Sequence, residues 1–83
     1  MRTRKRVEFG KHIVADPEIC HGQLTFMGTR IMVKSVLHYV ARGKDWRWIS
    51  TAYDGRLSSE AIREAVELAS DALIEKVEKR QAA

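Results

Sequence analysis

Apolar positions are sparse at the start of the chain, then fall in short runs, and from residue 33 onward recur at helical intervals. Residues 1–10 show no apolar spacing and close on Gly10, so they are expected to be loosely ordered. His12-Ile13-Val14-Ala15 is a β-prone run stopped by Asp16-Pro17, because proline fixes its own φ and pushes the preceding residue toward extended backbone. Ile19-Cys20-His21-Gly22 reads as a turn. Leu24-Thr25-Phe26-Met27 reads as a second strand, antiparallel to the first. Gly28-Thr29 interrupts it, as a glycine does at a bulge or a close backbone approach. Ile31-Met32-Val33 continues extended and feeds a helix.

Three helical patterns follow. In the first, Val33, Val36, Leu37 and Val40 share a face, and Arg42-Gly43 supplies a basic last turn and a residue that tolerates a left-handed cap. The second opens on Asp45, a good N-cap, and places Trp46, Ile49 and Tyr53 together, with Trp46 expected in the core. Trp48 falls on another face and is expected to be exposed or in a dimer contact. Asp54-Gly55 is a strong turn pair. The third opens at Ser58 or Ser59 with an early acid and extends to about Arg80. Its apolar stripe is Ile62, Ala65, Val66, Ala69, Leu73 and Val77. Glu60, Glu64, Glu67, Asp71, Glu75 and Glu78 step by 4, 3, 4, 4 and 3 into an acidic stripe on the opposite side. Ile74 lies between the stripes and is a candidate contact with a second chain.

These patterns predict an α+β chain, mainly α: an N-terminal β-hairpin followed by a three-helix helix-turn-helix domain with a long C-terminal helix. Residues 1–11 are expected to be a basic flexible arm and 12–83 a single domain. A two-stranded hairpin is marginal alone, so it must pack on the helices or pair across a subunit boundary. A homodimer is therefore expected.

Composition narrows the function. With 83 residues, one cysteine and no apolar run of membrane-spanning length, the chain is expected to be a cytoplasmic domain without disulfides. So small a core leaves little room for a water-excluded catalytic pocket, and no enzyme activity is expected. Cys20 and His21 with His12 and His38 match no zinc spacing and no nucleophile–base pair, so neither a metal nor a cofactor is expected. The net charge is +4, unevenly spread. Residues 1–11 carry five basic side chains and one acidic, whereas 58–83 carry four and six. A basic arm of this kind follows a phosphate backbone or serves as a solvated tail.

The second and third helices, 45–53 and 58–70, are joined by Asp54-Gly55-Arg56-Leu57, the length and composition of a helix-turn-helix, with Leu57 plugging the angle. The candidate DNA contacts are Arg2, Arg4, Lys5 and Arg6 on the arm, with Arg47, Arg56, Ser58, Ser59 and Arg63 from the helical unit. The acidic stripe weighs against major-groove entry, because its carboxylates repel phosphates. It suits a basic protein surface instead, which makes Glu60, Glu64, Glu67 and Asp71 the candidate partner-binding face.

His12-Ile13-Val14-Ala15-Asp16-Pro17-Glu18-Ile19-Cys20, then Gly22, Met27-Gly28-Thr29-Arg30-Ile31, Val33 and Val36-Leu37 resemble the domain of unknown function 433 family. Ile49, Tyr53, Leu57-Ser58, Glu60, Ile62 and Ala65 continue the resemblance, which spans about residues 9–72. It implies a hairpin-plus-helix-turn-helix protein, encoded beside a small PIN-like ribonuclease and acting as a VapB-type antitoxin or DNA-binding regulator. The shared motifs read as structural: the glycines serve the backbone, and Arg30 pairs with Asp16 or Glu18. His21 stands where a second glycine is usual, Met32 where a proline follows the isoleucine, and Asp54 where a proline often follows the tyrosine.

Overall fold

The computed structural model describes residues 5–82. Three short strands, β1 (Val7–Phe9), β2 (Ile13–Ala15) and β3 (Leu24–Phe26), precede three helices, α1 (Val33–Ala41), α2 (Trp46–Ala52) and α3 (Ser59–Ala82). The class is α+β, mainly α. The strands form one antiparallel sheet in the order β1-β2-β3, with Phe9 opposite Ile13 and Ile13 opposite Phe26.

The expected hairpin thus has a third strand, and part of the expected flexible arm is β1. All three β1 residues are exposed, so its pattern holds no buried alternation to read. Backbone pairing to β2 makes it a strand, through a turn in which Gly10 takes φ +71°.

Ile13 and Phe26 present one face of the sheet to Ile31, ahead of α1, and to Val33 and Val36 within it. Ile49 of α2, Leu57 of the following connection, and Ala61, Ile62 and Ala65 of α3 close the same core. Trp46 does not enter it: the side chain stays 37% exposed while Ile49 takes the buried position. Trp48 lies against Tyr39, with ring centroids 5.2 Å apart, and Lys44 Nζ sits 4.8 Å from its ring centroid. The pair of tryptophans therefore splits between open surface and a satellite aromatic cluster.

The helix ends explain how α1, α2 and α3 turn on one another. At the end of α1, Gly43 (φ +84°) donates to Val40 O at 3.0 Å and Lys44 N–H to Tyr39 O at 3.1 Å. At the end of α2, Asp54 N–H reaches Thr51 O at 3.0 Å and Gly55 N–H reaches Ser50 O at 2.9 Å. Both are left-handed caps that satisfy the last carbonyls. In the second, Asp54 itself takes φ +58° in the role usually given to glycine. A proline, with φ fixed near −65°, could not occupy that position. Asp45 caps α2 by accepting from Trp48 N–H at 2.7 Å, and Ser58 Oγ caps α3 by accepting from Ala61 N–H at 3.1 Å.

The core ends well before α3 does. From Ala69 to Gln81 every residue is exposed, including Leu73, Ile74 and Val77. Among the described residues no helix is long and apolar enough to cross a membrane.

Candidate nucleic-acid interface

Helices α2 and α3 are separated by residues 53–58, a slightly longer connection than the four residues 54–57 expected from the sequence. Leu57 is buried within it, as the plug between the two helices. The angle between them is thus fixed by the cap at Asp54-Gly55 and by this one side chain.

The cationic side chains around the unit divide into three groups. Arg47 on α2 and Arg56 on the connection are exposed and make no ion pair among the described residues. Arg63 is exposed on α3 with Nε 3.8 Å from Glu67 Oε2, a solvent-screened pair too weak to withhold it from a stronger anion. Arg6 is more committed: just ahead of β1, it pairs with Glu8 of that strand and lies 3.9 Å from Asp16, the residue after β2. Lys5 is exposed, and Arg2 and Arg4 lie outside the described residues. Ser59 is exposed in the first turn of α3, while Ser58 spends its acceptor on the cap.

The acidic stripe divides as well. Glu60, Glu67 and Asp71 are exposed, as a partner-facing surface requires. Glu64 is turned inward. Its Oε2 accepts from Lys11 N–H at 2.9 Å and its Oε1 from His12 N–H at 2.8 Å, so both oxygens hold the β1–β2 turn. A Cβ on Gly10 would lie 2.5 Å from Glu64 Oε2, so only a glycine lets the carboxylate approach. The Lys11 N–H bond is the first cause that holds the Glu64 carboxyl below its ordinary pKa, with the His12 bond and the charges of His12 and Lys11 adding to it. Partial burial opposes this, without reversing the direction. Glu64 is therefore a structural clasp between α3 and the sheet, and not the partner-facing carboxylate that the stripe predicts, because both its oxygens are engaged by the β1–β2 turn.

Arg30, read as a partner of Asp16 or Glu18, pairs with neither. Asp16 instead faces Arg6 and accepts from Glu18 N–H at 2.9 Å. Thr29 Oγ1 donates to Phe26 O at 2.8 Å and accepts from Ile31 N–H at 3.0 Å. This tight turn delivers Arg30 to an open cleft of about 290 Å³ lined by Arg30, Ile31, Met32, Ser35, Tyr53 and Arg56. No carboxylate is among the lining residues. Burial, with the nearby Tyr39 phenol, pushes the Tyr53 hydroxyl above its ordinary pKa. In the sequence Gly28-Thr29-Arg30 is only a weak anion-cradle motif, because it precedes a strand rather than opening a helix. The signal was present only as a cation in a tight turn, since 26 residues separate Arg30 from Arg56.

The chain belongs to a family described as proteins of unknown function (DUF433), whose model matches residues 13–69. No curated protein and no solved structure matches the chain. The matched segment covers β2 through the packed half of α3. β1 and the exposed end of α3 lie beyond it.

Proposed function

We propose that the chain is an antitoxin-like DNA-binding regulator that also neutralises a PIN-like ribonuclease partner. The observation that carries the first half is the pair of exposed, unpaired guanidiniums, Arg47 and Arg56, on a helix–turn–helix whose corner is fixed. Lys5, Ser59 and Arg63 add phosphate contacts of the kind that position a protein on a duplex. Glu60 repels phosphates near the start of α3, so backbone contacts outweigh base reading and binding is modest.

Fluorescence anisotropy with a mixed-sequence duplex tests this. Affinity falls steeply with salt, and Arg47→Gln and Arg56→Gln each reduce the slope by about 1. Absence of binding at the lowest salt removes the DNA reading. It leaves a protein-interaction module, which the exposed Leu73, Ile74 and Val77 favour. For the second half, Glu60, Glu67 and Asp71 provide a face complementary to the basic approach of a ribonuclease. A gene without a small ribonuclease gene beside it would remove that half.

A second copy over the apolar side of α3 completes the reading, because two-fold dimers are the commonest assemblies. Sedimentation equilibrium then returns twice the 9.5 kDa chain mass. A single 9.5 kDa species at all concentrations removes the dimer.

A further inference from the structure

We infer that the cleft between the β3–α1 and α2–α3 connections is a phosphoryl-anion site in which Arg30 and Arg56 clamp a phosphodiester of a nucleic-acid backbone. The inference deepens the DNA reading above and rests on it for the source of the phosphate. It adds a residue, Arg30, that lies outside the helix–turn–helix.

Four segments build the site: Arg30 from the turn after β3, Ser35 from the first turn of α1, Tyr53 from the end of α2, and Arg56 from the following connection. Only the tertiary fold brings them to one wall. Arg30 and Arg56 both line this open cleft, together with two hydroxyl-bearing residues and no carboxylate, and neither arginine has an ion-pair partner among the described residues. Like charges held together without a counter-charge repel, and an anion between them reverses the sign of that interaction. The planar fork of arginine matches phosphate oxygens two at a time, which a lysine ammonium does not.

The remaining lining is consistent with an anion. The first turn of α1 carries no acidic residue, and its N-cap, Met32, contributes no side-chain bond. The cleft's volume of about 290 Å³, against ~30 Å³ for a water molecule, admits a phosphate group with part of its hydration. The cleft lined by Asp45 and Arg47 differs in having a carboxylate among its lining residues.

The test uses the full chain and two probes. Inorganic phosphate is titrated at constant ionic strength while backbone amide resonances are followed by NMR. The expected result is a saturable shift of Arg30, Met32–Ser35 and Arg56 that Arg30→Gln or Arg56→Gln weakens at least tenfold. Arg30→Lys is intermediate, and Arg80→Gln, at the far end of α3, leaves it unchanged. Shifts that fail to saturate, or that fall elsewhere on the molecule, overturn the site.

A short duplex then distinguishes the source of the phosphate. Weakening of duplex binding at least tenfold by Arg30→Gln, with an unchanged thermal midpoint, supports the backbone clamp. Duplex binding that survives Arg30→Gln overturns the clamp and leaves the DNA reading standing on Arg47 and Arg56. Duplex binding absent from the unsubstituted chain, with phosphate still saturating the cleft, overturns the DNA reading and reassigns the site to a free phosphoryl ligand.

Discussion

Leu57→Ala is expected to destabilise the protein by about 3 kcal/mol, the usual cost of truncating a fully buried leucine. Leu57 is 1% exposed and belongs to neither helix that it separates. Its neighbours in the core are Ile49 from α2 and Ala61 and Ile62 from α3, so the cavity left behind opens between elements that must move as units. Collapse around the void would change the angle of the helix–turn–helix, so the DNA binding proposed above should weaken together with stability. In a domain of this size the expected fall in Tm is roughly 12–24 °C, at 4–8 °C per kcal/mol. Thermal and urea denaturation measure it. A shift of only a few degrees would show that the corner is held by the Asp54-Gly55 cap alone.

The second large effect concerns Glu64. Glu64→Gln replaces a carboxylate that accepts two backbone N–H bonds with an amide that presents one oxygen and one competing donor. The expected loss is about 1–2 kcal/mol at pH 7, from charge-assisted bonds that are partly open to solvent. The loss is also pH-dependent, and its sign follows from the lowered pKa. A carboxyl whose folded pKa lies below its unfolded one stabilises the fold above the unfolded value. That contribution disappears as the pH falls through the folded value. The native chain and Glu64→Gln should therefore differ most above pH ~5.5 and converge as the pH drops below the ordinary glutamate range near 4.3. Parallel Tm-versus-pH curves would refute the clasp. Convergence at acid pH, with amide exchange quickened first in β1, would establish it.

Much of the helical half was legible because its determinants are local. Asp45 and Ser58 are caps by residue type, Gly43 and Gly55 mark helix ends, and Val33, Val36, Ile49 and Ile62 fall at core spacing. What was not legible depends on contacts distant in sequence. β1 has no buried face and exists through pairing with β2. Glu64 obeys the spacing of a solvent-facing acidic stripe and is diverted by a turn 52 and 53 residues away. Trp46 sits at the right interval for the core, yet Ile49 fills the available space and leaves the larger ring outside. Arg30 looks local to Asp16 and Glu18 along the chain but is carried by the Thr29 turn to the side of Arg56. The candidate DNA contacts were legible as residue types. Their grouping was not, because it depends on which carboxylates each arginine meets.

The stretch of α3 past Ala69 has a consequence for any melting experiment. It makes few contacts beyond its own helical hydrogen bonds, and isolated helices of about a dozen residues are marginal in water. On warming it should uncoil from its C-terminal end while the sheet and the Leu57 corner remain intact. Ellipticity at 222 nm, to which every helical turn contributes, should then decline before the fluorescence of Trp48 beside Tyr39 reports loss of the core. A single two-state fit to ellipticity would merge peripheral fraying with global unfolding and understate the cooperativity of the body.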